Sequence, residues 1–146
     1  DLTYVELAPG TTVAGVFTQS LCPSSEVELG REQVKGGTAR ALIVNAGNSN
    51  AFTGFRGRDA VVAIQAQVAE HLRCPADEVF VCSTGVIGVP LPMDKAPAGV
   101  AAALTAAPCS WEEAAATITT TDTFAKGATA SAIVGGQRAQ VAGIVK

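Results

Sequence analysis

The order of apolar and polar positions along the chain predicts most of its elements. Residues 4–7 and 12–19 read as two short strands joined by the turn Ala8-Pro9-Gly10. Residues 28–35 predict a short polar helix closed by Gly36-Gly37. Residues 39–45 hold Ala41-Leu42-Ile43-Val44, a continuous apolar run of the kind found in strands buried on both faces. The stretch 45–54 that follows carries Asn45, Gly47, Asn48, Asn50 and Gly54, which predict a loop or tightly wound turn. Asp59 then caps a helix whose Val61, Ile64, Val68 and Leu72 share one face, and Pro75 ends it.

A second buried strand is predicted over residues 79–82, running into the glycine-bearing turn Ser83-Thr84-Gly85-Val86-Ile87-Gly88. A helix opening at Pro92 and reaching about Leu104 is rich in alanine. Ser110 and Glu113 have the spacing of a capping box, so another helix begins there. Threonine-rich residues 117–123 read as extended. Two apolar runs, 128–134 and 137–145, flank Gly135-Gly136, which is the signal of a two-residue hairpin. Together these give a mixed α/β layered domain over residues 1–146, with no internal repeat, no linker and no second domain boundary.

Composition changes that picture in one respect. Apolar residues make up 48% of the chain and charged residues only 16%, low for a domain that stands alone in water. Either the core is alanine-rich or another chain covers part of the surface. The net charge of −3 is spread without any Lys/Arg cluster, which excludes a phosphate-backbone footprint and so a nucleic-acid partner. No apolar run approaches the roughly 20 residues of a membrane-spanning helix, and the first residues lack a signal-peptide pattern. Cys22, Cys74, Cys82 and Cys109 include no C-x-x-C pair and have only His71 to help them, so neither a zinc site nor any other metal is expected. They read as reduced thiols in a cytoplasmic protein. Asp1 stands where an initiator methionine would, and Val141 to Lys146 end the chain on an apolar stretch. Both lead to the expectation of a piece of a longer polypeptide.

Familiar catalytic motifs are absent: no G-x-S-x-G elbow, no Walker loop, no H-E-x-x-H. His71, near the end of its helix, reads as structural or solvent-facing. Four places remain. Thr84-Gly85, at the end of a buried strand, offers a hydroxyl and backbone N–H groups that can hold an oxyanion, or is a turn that needs glycine. The Asn45–Gly54 segment binds a polar ligand or satisfies its own backbone. The hydroxyls of residues 119–123 position a carboxylate or form a sheet edge. Lys146, after Ile144-Val145, binds a substrate carboxylate or is solvated.

Four segments in this order resemble the ornithine acetyltransferase family: Val44-Asn-Ala-Gly-Asn-Ser-Asn-Ala-Phe-Thr-Gly54, Cys82-Ser-Thr-Gly-Val-Ile-Gly88, Leu91-Pro-Met-Asp-Lys95 and Thr120-Thr-Asp-Thr-Phe-Ala-Lys126. The ending Val141-Ala-Gly-Ile-Val-Lys146 is similar to the stretch before that family's self-cleavage site. The resemblance implies the α-chain of a precursor that cuts itself before a threonine. That threonine becomes the N-terminal nucleophile of a β-chain, usually within an α2β2 heterotetramer. It implies a layered α/β sandwich shared with certain self-processing aminopeptidases. The reaction it implies needs no cofactor: a ping-pong transfer of acetyl from N-acetylornithine to glutamate, in arginine biosynthesis. Some family members also accept acetyl-CoA.

By the same resemblance Thr84 and Gly85 form the oxyanion hole, through a hydroxyl and a backbone N–H, and Thr120 and Lys146 bind substrate. The nucleophilic threonine and the β-chain lie outside this sequence, and Ala125 stands where the family often has proline. The alternatives from other classes are a self-processing aminopeptidase of similar fold and a non-catalytic module whose glycine loops hold an anion.

Overall fold

The computed structural model describes residues 1–146. Its central sheet has three strands in the order β1 (Leu2–Glu6), β2 (Ala41–Asn48), β3 (Val79–Val86). Strand β1 pairs antiparallel with β2, with Tyr4 opposite Ile43. Strands β2 and β3 run parallel, from Ala41 opposite Val79 to Asn48 opposite Val86. Parallel neighbours need a long crossover, and the helix α2 (Gly54–Leu72) supplies it. The helix α1 (Ser25–Gln33) lies before β2, and α3 (Ala96–Thr105) follows β3.

Side-chain alternation divides the sheet into two unlike faces. Ala41, Ile43, Val79 and Val81 point to the helices and meet Val61, Ile64, Val68 and Val100, all buried. On the opposite face Leu42, Val44 and Phe80 are only half-buried and Cys82 is exposed. The apolar runs in β2 and β3 therefore match strands covered on both faces, while this chain covers one.

A second unit packs the short helix α4 (Trp111–Thr117) on the antiparallel hairpin β4 (Lys126–Val134) and β5 (Gln137–Val145). The expected capping box is present: Glu113 N donates to Ser110 Oγ at 3.2 Å, and Ser110 N donates to Glu113 Oε2 at 2.7 Å. Gly135 and Gly136 have φ of 58° and 80°, the paired positive values of a tight hairpin turn. Apart from Lys126 and Ile144, every residue of this ribbon is exposed, on both faces. The chain's accessible surface is 9013 Å² for 14.7 kDa. That is about 2,000 Å² more than a compact monomer of this mass exposes.

Several expected elements are corrected. Residues 12–19 form no strand: one bridge, Thr12 to Thr38, is all that pairs them, and Val16 is 99% exposed. Helix α2 starts at Gly54, not after Asp59, with Thr53 at its N-cap. Strands β2 and β3 do not stop at Asn45 and Cys82, because their polar ends pair with each other as far as Asn48 and Val86. Helix α3 begins at Ala96; residues 92–95 are a turn closed by Lys95 N to Pro92 O. Residues 117–123 are not extended: they close α4, with Thr119 Oγ1 donating to Ala116 O. His71 is exposed in the last turn of α2. The cysteines are free, three of them exposed. No helix is long and apolar enough to cross a membrane.

Candidate active site

Strands β2 and β3 run past the apolar core and end side by side in small and polar residues. Asn45 stands opposite Ser83, Ala46 opposite Thr84 and Gly47 opposite Gly85. Gly47 has φ 141° and Gly85 has φ 127°, values that L side chains rarely adopt. A Cβ on Gly85 would overlap the Gly47 carbonyl and lie 2.9 Å from Asn48 N. Glycine at 85 is thus fixed by the close approach of two backbones as well as by its own dihedral.

Behind this pair, on the helix face, lies a buried polar cluster. Glu26 in the first turn of α1 is 6% exposed. Its Oε1 accepts from Asn50 Nδ2 at 2.9 Å and from the Ser83 hydroxyl. Ser83 Oγ also lies 2.5 Å from Asn45 Oδ1, and Asn45 Nδ2 donates to Asn48 O at 2.8 Å. Asn50 is fully buried, donates to Gly57 O at 3.0 Å and accepts from Thr53 Oγ1. The Asn45–Gly54 segment thus spends its buried amides on its own fold.

In front of Thr84 and Gly85 opens a cleft of about 630 Å³, lined also by Gly47, Thr119, Thr120 and Lys146. Three separate parts of the chain meet there: the ends of β2 and β3, the turn after α4, and the residue following β5. Asp122 ties the last two together. Its Oδ1 accepts from Lys126 Nζ at 2.5 Å, and its Oδ2 lies 3.3 Å from Lys146 Nζ. The Lys126 ammonium first, then Lys146 and the Thr120 backbone N–H, hold the Asp122 carboxyl down at about 2. Two ammonium groups share one carboxylate, so the cluster keeps a net positive charge at the cleft. That suits a ligand carrying a carboxylate.

The four residues singled out from the sequence, Thr84, Gly85, Thr120 and Lys146, all line this one cleft, although up to 62 positions separate them in sequence. Sequence reasoning passed over three others. Asp122 sits inside the quoted Thr-Thr-Asp-Thr motif, and its role as a bridge appears only once Lys146 is folded beside it. Gly47 gives no signal until β2 and β3 are paired in register. Glu26 has the look of an ordinary solvated residue at a helix start, and nothing in the sequence marks it as buried.

The chain as a whole is similar to known proteins. The ArgJ family model matches residues 1–146. The arginine biosynthesis bifunctional protein ArgJ of Zymomonas mobilis subsp. mobilis is 54% identical over 146 residues, 100% of this chain and 36% of that protein. The protein of the same name from Rhizobium meliloti is 49% identical over 137 residues, 92% of this chain and 33% of that one. This chain therefore spans about a third of the length of the curated relatives it matches. Among solved structures, ornithine acetyltransferase complexed with ornithine from Mycobacterium tuberculosis superposes with a TM-score of 0.87 at 34% identity, covering 99% of this chain and 78% of that one. Arginine biosynthesis bifunctional protein argJ of Bacillus halodurans gives 0.82 at 30% identity, covering 99% and 85%.

Proposed function

The chain belongs to the ArgJ family, and from that membership we propose that it is the α-chain of an acyltransferase carrying acetyl from N-acetylornithine to glutamate. The observation that carries this reading is the convergence of Thr84, Gly85, Thr120 and Lys146 on one cleft. The partner is a β-chain from the same precursor, in an α2β2 assembly. The 2,000 Å² of surplus surface, the half-covered sheet face and the exposed hairpin favour such a partner. Free cysteines without a disulfide suit a cytoplasmic enzyme of arginine biosynthesis.

The chemistry follows from the groups at the cleft. A threonine hydroxyl at the N-terminus of the β-chain, with its own α-amine as base, attacks the acetyl carbonyl of N-acetylornithine. The carbonyl oxygen becomes an oxyanion, and the Thr84 hydroxyl and Gly85 N–H donate to it. One such donor is worth about 10²–10³ in rate. Collapse releases ornithine and leaves acetyl-threonine. The amine of glutamate then attacks through a second tetrahedral intermediate held by the same donors. Lys146, with Thr120 beside it, takes the substrate carboxylate, and Asp122 holds the lysine in place.

The test is an acetyl-transfer assay on the full-length protein combined with mass spectrometry. The reading expects acetylglutamate from N-acetylornithine and a second chain beginning with threonine. Release of free N-terminal amino acids from peptides, or no second chain, contradicts it.

A further inference from the structure

We propose that Glu26 is a positioning residue for the oxyanion donors, holding the ends of β2 and β3 so that Thr84 and Gly85 face the cleft at a fixed distance. The inference deepens the proposed acetyl transfer and rests on it.

Glu26 is a carboxylate 6% exposed, with no Lys, Arg or His among its hydrogen-bond or ion-pair partners. Such a group is costly to bury, and an apolar residue would fill the place more cheaply. Both of its bonds go to the segments that carry the site. Ser83 is the residue before Thr84, and Asn50 follows the end of β2.

Successive strand side chains point to opposite faces, so anchoring Ser83 on the helix side fixes the orientation of Thr84 on the cleft side. Ser83 also meets Asn45 Oδ1, directly opposite it in register. This side-chain contact between the two strands lies one residue before Thr84 and Ala46 and two before the Gly47–Gly85 pair, through which the backbone pairing continues. Asn50 carries the same anchor to Gly57 O in the first turn of α2. The other carboxylate oxygen, Oε2, is buried without a partner. A cluster selected for stability alone would satisfy that oxygen or dispense with the charge.

A purely structural pin and a positioning residue differ in how they couple to Thr84. The experiment is a double-mutant cycle in the full-length acetyltransferase, with kcat and KM measured for acetyl transfer from N-acetylornithine to glutamate. Glu26→Leu, which removes the acceptor of both bonds, is expected to lower kcat about tenfold with KM within about twofold, since small misplacements of catalytic groups cost rate rather than binding. In the Thr84→Ala background the same change is expected to cost only about threefold, because one of the two donors it positions is already gone.

Ser83→Ala removes only the hydroxyl between Glu26 and β3. It should show the same loss and the same dependence on Thr84, and it decides the matter if Glu26→Leu fails to fold. An undiminished loss in the Thr84→Ala background, or an unchanged kcat in both single variants, overturns the role of Glu26 and leaves the acetyl-transfer reading standing. An unchanged kcat in Thr84→Ala alone overturns the oxyanion reading itself, and the role of Glu26 with it.

Discussion

Gly47 and Gly85 stand opposite each other on the parallel strands β2 and β3, and the second has no room for a side chain against the carbonyl of the first. This contact is where an ordinary sheet becomes a site. It lets the two backbones end side by side, so that Thr84 and the Gly85 peptide both open onto the cleft.

Gly85→Ala should therefore be far more damaging than Gly88→Ala. At 85 the substitution meets backbone and a φ of 127°; at 88 the φ is 78°, but nothing lies within 4 Å. Backbone strain and overpacking together predict a loss of about 2–5 kcal/mol at 85, against about 1 kcal/mol at 88. Denaturant midpoints of the two variants measure the difference.

Asp122 gives a pH signature. Its folded-state value of about 2 lies below the ordinary 3.8. Its contribution to stability is thus complete above the ordinary value and is lost as pH falls through the folded one. Stability should decline between about pH 4 and pH 2, and Asp122→Asn should remove that part of the acid limb while leaving neutral-pH titration alone. Acid unfolding curves of the two proteins check this.

Lys146→Met and Thr120→Ala test the carboxylate-binding side of the cleft. A hydrogen bond to a charged group is worth enough to raise KM about ten- to a hundredfold for the lysine. The hydroxyl should matter less. Neither variant should depress kcat in proportion, because the carboxylate is bound equally in the ground and transition states. Steady-state kinetics with varied N-acetylornithine separate the two parameters.

Exposed Ile133, Val134, Val141 and Val145 on the hairpin predict the behaviour of the isolated chain. Expressed alone, residues 1–146 should self-associate, since a long apolar ribbon with open edges invites pairing. Co-expressed with the remainder of the protein, they should elute as one defined complex. Size-exclusion chromatography distinguishes these outcomes.

Much of this was legible in the sequence wherever a local rule governs. The hairpin turn at Gly135-Gly136, the capping box at Ser110 and the apolar face of α2 are written in neighbouring residues. So are the candidates Thr84, Gly85, Thr120 and Lys146, through motifs that resemble a family. What escaped depends on partners far away in sequence. Residues 12–19 have a strand's pattern and no strand to pair with. Helix α2 begins at Gly54 despite two glycines in its first turn, because Gly57 leaves the space that Asn50 and Thr53 occupy. Asn45 to Asn48 looks like a loop until β3 lies beside it. Glu26 looks solvated until Ser83 and Asn50 close over it. Low charge content offered two explanations, and the half-covered sheet face favours the second chain.

The most direct test of the account is Thr84→Ala in the full-length precursor, followed for both self-cleavage and acetyl transfer. Both reactions pass through a tetrahedral oxyanion, so loss of the hydroxyl should slow maturation and lower kcat together, each by about 10²–10³. Normal processing with normal acetyl transfer would contradict the assignment of the cleft.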